Sequence, residues 1–179
     1  MPKACPPRAG ERRAGHATLD DQAVPESVAT PSSADPAAAL DALVQRMLVA
    51  DQEEAKRIVE DLRLYHPRAL ATRLTARYAA SGELREQSRA VWALGELCGE
   101  YALEFLINCT RAEAPNVRRI AASALGKVGA SIVSHERRQA DLARARQALA
   151  ALAADPAPQV REYAAKALSQ FGPERDVPL

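Results

Sequence analysis

Residues 115–129 read PNVRRIAASALGKVG, and residues 158–172 read PQVREYAAKALSQFG. The two stretches align at a spacing of 43 residues, and a weaker copy containing Ala90, Ala93 and Leu94 lies 31 residues before the first. Within each copy the apolar residues follow the 3.6-residue period of an amphipathic helix. Periods of this length are typical of stacked helical repeats, because one helical unit cannot bury its apolar face alone.

Prolines and glycines predict where the two repeated helices begin and end. Pro115 and Pro158 stand at their starts, where a missing backbone N–H costs no hydrogen bond. Gly129 and Gly172 stand at their ends, and glycine readily adopts the left-handed conformation that terminates a helix. We therefore expect each helix to stop just before its glycine.

The periodic pattern continues towards the N-terminus and predicts four helical hairpins. The composition agrees, since 39 of the 179 residues are alanine and no alternating runs indicate strands. The predicted fold is all-α, a short right-handed α-solenoid of about four stacked hairpins over residues 36–172. The expected helix pairs are 37–49 with 52–65, 68–80 with 84–98, 100–111 with 115–128, and 136–154 with 158–171.

Twelve extra residues, near 130–142, change the spacing from 31 to 43. Ser134 can cap a helix N-terminus and good helix formers follow it, so we expect the insertion to lengthen the next helix. Insertions in repeat arrays often lie on a binding face. A neutral elaboration of the surface is the alternative.

The terminal segments differ in composition from the repeats. Residues 1–35 contain five prolines and few periodic apolar residues, which predicts a disordered tail, and 173–179 form a short polar tail. No apolar run follows the basic N-terminus as a secretory signal requires, and none approaches the roughly 20 residues that span a bilayer. We expect a cytoplasmic protein without a membrane segment.

The sequence shows no catalytic, cofactor-binding or metal-binding constellation. It lacks a P-loop, a GxGxxG motif, a GxSxG motif and any CxxC pair. Cys98 and Cys109 lie beside apolar stripes and are expected to be buried, and His66 is expected at a helix end. The remaining cysteine and histidines are Cys5, His16 and His135. We therefore predict a protein that is not an enzyme and carries no cofactor.

The repeated residues resemble a known family. The segment 155–161 (DPAPQVR), followed by Ala164, Ala167 and Phe171, is similar to a HEAT repeat of the compact bacterial kind also found in bilin lyases. The copy that begins at Pro115 is nearly as good. The resemblance covers about residues 82–172 and implies an armadillo-like α-solenoid, while nothing beyond the repeat pattern indicates a chromophore.

Arg118 and Arg161 occupy equivalent positions in the two copies. The resemblance implies that such an arginine ties adjacent repeats together through an acidic residue near the turn, for which Asp155 and Glu113 are available. A ladder that binds phosphate or carboxylate is the alternative. We favour the bracing role, because a bidentate arginine–carboxylate pair suits stacked hairpins.

Trp92 aligns with Ser123 and Lys166, off the apolar stripe. It is either an exposed anchor for a partner, since aromatic anchors dominate interface energetics, or it is covered by the N-terminal hairpins or the tail. The polar residues expected on the same surface are Arg89, Glu96, Arg119, Ser123, Lys127, Glu162, Lys166 and Gln170.

The charge of the predicted array favours a protein partner. Residues 36–179 carry 20 basic and 18 acidic side chains, whereas proteins that grip phosphates usually have a strong basic excess. We predict a non-enzymatic scaffold that presents its helical surface to another protein. The alternative is nucleic-acid binding through arginine-rich helices, because the architecture is similar to that of HEAT-like alkylpurine DNA glycosylases.

Overall fold

The computed structural model describes residues 35–132 and 139–171, and every regular element in these ranges is helical. The α-helices are α1 (Pro36–Val49), α2 (Gln52–Leu62), α3 (Pro67–Ala80), α4 (Leu84–Leu97), α5 (Leu103–Cys109), α6 (Pro115–Ile132), α7 (Gln139–Ala151) and α8 (Pro158–Gln170). Two short 3₁₀ turns in the described ranges, Gly99–Ala102 and Leu152–Ala154, precede α5 and follow α7 respectively. The prediction of an all-α helical-repeat solenoid is confirmed.

The helices pair in chain order as four hairpins. The second helices of the last three hairpins form one layer, in which α6 packs along α4 on one side and along α8 on the other. The first helices α5 and α7 pack behind them. By contrast, α2 meets α4 over only a short stretch.

Polar side chains cap the N-termini of the first three helices. The Asp35 carboxylate accepts a hydrogen bond from the Ala37 N–H at 3.0 Å, and Asp51 accepts one from Glu54 at 2.8 Å. Each cap satisfies a backbone donor that has no partner within its helix. His66 does the same for α3 through Nδ1, so the expected helix-end position of this histidine is confirmed.

One continuous apolar core runs through the array. Leucines from successive helices, including Leu94, Leu106, Leu125 and Leu149, are fully buried in it. Cys98 and Cys109 are buried as predicted, and burial raises the pKa of each thiol to about 12. Both thiols are therefore protonated near neutral pH and act as small apolar side chains.

Glycine–alanine contacts set the close spacing of the second helices. A Cβ atom placed on Gly95 would lie 2.5 Å from the Ala124 Cβ, and one placed on Gly126 would lie 2.9 Å from the Ala167 Cβ. Such distances are shorter than carbon atoms tolerate, so the backbones approach closely only because both positions lack a side chain. The same contact thus joins α4 to α6 and α6 to α8.

The predicted role of Gly129 as a helix terminator is wrong. Helix α6 continues through Gly129 to Ile132, and Gly129 instead makes room for the aromatic ring of Phe171, which a Cβ atom would overlap. Among the described residues the glycine with left-handed backbone is Gly99, with φ of 50°, which follows the C-cap residue of α4, Cys98. Gly172 lies outside the described residues.

Three other boundaries differ from those expected. Helix α2 ends at Leu62 rather than residue 65, and a 3₁₀ turn interrupts the continuous helix expected over 100–111. The insertion extends the preceding helix α6 to Ile132, while α7 is described only from Gln139, so its predicted start near Ser134 lies outside the described residues, as do residues 1–34 and 172–179. None of the described helices is both long and apolar enough to cross a membrane.

Candidate functional site

A groove of about 640 Å³ runs between α4 and α6. Residues from α2 and α8 complete its lining at either side. The two helices that form its walls are held close by the Gly95–Ala124 contact, so the groove is built on the most regular part of the array. Its walls are helix backbones rather than loops, which favours a preformed shape.

The lining of the groove includes aromatic and aliphatic side chains. Trp92 from α4 is half-buried and packs against the core, with Ile120 from α6 and Tyr163 from α8 also in the lining. The Arg89 guanidinium lies 5.9 Å from the centre of the Trp92 ring, and that of Arg119 lies 4.9 Å from the Tyr163 ring. Cations at this distance interact favourably with the ring faces and help to orient them.

Polar contacts tie α4 to α6 within the groove. The Lys127 ammonium forms an ion pair with Glu96, and the Asn116 amide donates a hydrogen bond to the Ser88 hydroxyl at 3.0 Å. The Asn116 oxygen in turn accepts a hydrogen bond from Arg119 at 2.9 Å. The ion pair neutralises Lys127, and the hydrogen bond to Asn116 positions Arg119.

Arg85 and Arg89 lie one helical turn apart and bind the turn between α1 and α2. Arg85 Nη2 donates to the Ala50 carbonyl at 2.9 Å, and Arg89 Nη1 donates to the Asp51 carbonyl at 3.1 Å. Ala50 caps the C-terminus of α1, where the helix dipole favours cations. Burial, and secondly the neighbouring Arg85 charge, lowers the pKa of Arg89, while the Asp51 charge acts in the opposite direction.

The structure brings most of the predicted interaction residues together. Those that line the groove are Trp92, Arg89, Glu96, Arg119, Ser123 and Lys127. Lys166 is exposed on α8 and does not line the groove. Glu162 and Gln170 do not line it either.

Sequence reasoning missed Arg85, Ile120 and Tyr163. Ile120 and Tyr163 stand 31 and 74 residues after Arg89, so the repeat spacing places Arg89, Ile120 and Tyr163 at equivalent positions. Ile120 and Tyr163 are uncharged and were not among the polar residues expected on this surface. Their repeat spacing from Arg89 is the signal that could have identified them.

Arg118 braces the last two hairpins. It donates to both Asp155 carboxylate oxygens, at 2.7 and 3.0 Å, and to the carbonyls of Ala112 and Glu113. The Asp155 side chain is only 5% exposed, and its carboxylate also accepts a hydrogen bond from the Ala157 N–H. The bond to Arg118 holds the pKa of Asp155 below its usual range. The contact is that of a structural brace.

Arg161 repeats half of this arrangement. Its Nη1 donates to the carbonyls of Asp155 and Pro156 at 2.7 and 3.1 Å, as Arg118 does to the preceding turn. Among the described residues Arg161 forms no ion pair like that of Arg118, although its charge also acts on the Asp155 carboxylate. The two arginines therefore share a position but differ in function within the fold.

Hairpins whose second helices stack through the same repeated contacts define a class, the all-α helical-repeat proteins. Family comparison narrows the class. A family model for HEAT repeats matches residues 71–136, and a second model, for a single HEAT repeat, matches residues 146–174. The chain is a HEAT-repeat protein. A search of curated proteins found no match to it.

Proposed function

We propose that this chain is a protein-interaction module that binds a partner protein in the groove between α4 and α6. HEAT repeats in general suggest an interaction or scaffold role. The observation that carries the proposal is the position of Trp92, which is half-buried on a helical wall in a groove with charged residues around it. Aromatic residues in such positions commonly dominate the binding energy of an interface.

A non-enzymatic role is part of the proposal. HEAT repeats are typically non-catalytic. Across residues 35–132 and 139–171, no group of three or more His, Cys, Asp or Glu side chains is placed to hold a metal ion. The high pKa of the Cys98 and Cys109 thiols disfavours a thiolate nucleophile.

Nucleic acid is a less favoured partner, although the groove contains more cations than anions. Two of the arginines that an extended phosphate track would use are already paired. Arg73 contacts Asp41 at 2.8 Å, and Arg144 contacts Glu104 at 2.7 Å. Binding dominated by phosphates depends on many unpaired cations.

The test is affinity purification of the tagged full chain from its own cells, with and without nuclease, in parallel with Trp92→Ala. We expect a stoichiometric protein that survives nuclease and is lost with Trp92→Ala. Tyr101→Ala, which removes an aromatic side chain that is 47% exposed outside the groove, is the matched control and is expected to retain the partner. Thermal melts verify that both variants are folded.

Two results would overturn the proposal. Loss of all retained material on nuclease treatment would assign the surface to nucleic acid. Full retention of the partner by folded Trp92→Ala would place the interaction elsewhere on the chain.

A further inference from the structure

The side chains that line the groove carry more positive than negative charge. Among the described residues, Arg85 and Arg89 form hydrogen bonds with backbone carbonyls and with no carboxylate. A guanidinium has five donors, and the hydrogen bond from Arg85 to the Ala50 carbonyl uses one of them. The remaining donors suit a planar, bidentate acceptor such as a carboxylate.

The other charges in the lining reinforce this excess. The lining contains five cationic side chains and one carboxylate, that of Glu96, and Lys127 already neutralises it. Lys56 from α2 lies on the same side of the groove as the two arginines, and among the described residues its close partner is the exposed Glu53. An anionic partner group is therefore attracted to the end of the groove that α2 and the start of α4 form.

An apolar contact lies one helical turn from the arginines. Trp92 follows Arg89 by three residues on α4, so the two side chains are neighbours on one helix face. Ile120 lines the opposite wall on α6. A ligand that places a carboxylate on the arginines thus places an adjacent apolar group between Trp92 and Ile120.

This pairing favours a peptide over a nucleic acid. A cavity of about 640 Å³ accommodates a few side chains rather than a length of polynucleotide. Nucleic-acid affinity comes chiefly from many phosphate contacts along an extended track. One short basic segment beside an apolar cleft instead matches a carboxylate next to an aliphatic or aromatic residue.

We infer that the groove binds an acidic peptide segment of a partner protein, with a carboxylate on Arg85 and Arg89 and a neighbouring apolar side chain between Trp92 and Ile120. The inference rests on the proposed function and specifies its ligand. It also assigns Arg85, which the sequence alone did not indicate, as a determinant of specificity.

The experiment is selection of random 12-residue peptides displayed on phage against the full chain, followed by affinity measurement on synthetic copies of the enriched peptides. We expect enrichment of peptides with Asp or Glu within a few positions of a large apolar residue. Replacing those acids by Asn or Gln is expected to weaken binding at least about tenfold. Raising the salt concentration is expected to weaken binding by a smaller factor.

Variants of the chain test the assigned residues. Arg85→Gln with Arg89→Gln is expected to lose at least about tenfold in affinity, while Arg57→Gln with Arg77→Gln removes the same charge from exposed sites outside the groove and is expected to bind normally. Lys56→Gln leaves the carbonyl contacts of both arginines intact and is expected to lose about twofold to fivefold. This variant keeps the test valid if the double variant is unstable.

The outcomes separate this inference from the proposed function. Enriched peptides that lack acidic residues but still depend on Trp92 would overturn the acidic-peptide inference and leave the groove as a protein-binding site. Failure to enrich any peptide, or binding that is unaffected by Trp92→Ala, would overturn both. Tighter binding of a 12-nucleotide single-stranded DNA than of any selected peptide would replace the peptide by nucleic acid.

Discussion

The C-terminal and N-terminal halves of the array are joined in different ways. Between α6 and α8, Gly126 receives Ala167, Gly129 receives the Phe171 ring, and the turns are braced by an ion pair. Between α2 and α4, packing covers a short stretch, and arginine bonds to backbone carbonyls replace the glycine–alanine contact. Neither HEAT family match reaches α1 or α2.

The difference indicates where an array of this kind can place a binding site. The groove lies where α4 and α6 approach closely, and Gly95 and Ala124 form part of its lining. At its α2 side, long polar side chains join the helices in place of a glycine–alanine contact. Arg85 and Arg89 have two roles, since they hold the N-terminal hairpin against α4 and also line the groove.

The largest expected effect is loss of the brace at the tight junction. Asp155→Ala leaves Arg118 without its carboxylate and the Ala157 N–H without its acceptor, so we expect a loss of about 3 kcal/mol in unfolding free energy. Chemical denaturation measures it. Asp41→Ala, which breaks the exposed pair with Arg73, is expected to cost less than about 1 kcal/mol. Equal losses in the two variants would contradict the assignment of the buried pair as the main brace.

Acid is expected to weaken the same junction. Because the pKa of Asp155 is lowered in the folded state, its stabilisation is fully present above the ordinary carboxyl pKa of 3.8 and is lost as the pH falls through the folded value. Unfolding free energy should therefore decline below about pH 4, and less steeply in Asp155→Asn than in the unchanged chain. Denaturation curves across the acid range measure both slopes, and parallel slopes would remove Asp155 from the explanation.

The glycine–alanine contacts are expected to tolerate no added methyl group. Gly126→Ala forces α6 away from Ala167, and overpacking should outweigh the gain in helix propensity by about 1–2 kcal/mol. The melting temperature checks this. Gly82→Ala, at a site with open space, is the control and should be neutral or slightly stabilising. A stabilised Gly126→Ala variant would show that the helices can separate freely.

The smallest effect is expected for the exposed ion pair that crosses from α4 to α6. Lys127→Ala removes the partner of Glu96 where the lysine side chain is 51% exposed, so the unfolding free energy should change by less than about 0.5 kcal/mol. Denaturant titration measures the change. A loss comparable with that of Asp155→Ala would mean that exposed pairs also hold the stack.

The helices and their stacking were predictable because they depend on local periodicity and on the repeat spacing. The starts at Pro115 and Pro158 agree with the sequence prediction, since a proline at a helix start has one common meaning. Gly129 was misinterpreted because a glycine serves equally as a helix end or as a close contact, and only the position of Phe171 distinguishes the two. The role of Arg85 depends on its approach to Ala50, 35 residues earlier, which no local pattern encodes.

Helix α6 carries both halves of the stacking contact. Ala124 packs against Gly95 of α4, and Gly126 packs against Ala167 of α8. Because α6 contributes an alanine to one contact and a glycine to the other, the two ends of the stack are different. Tandem duplication of the segment that encodes α5 and α6 would set the same glycine against the same alanine, so this architecture can grow by whole units without a new interface having to evolve.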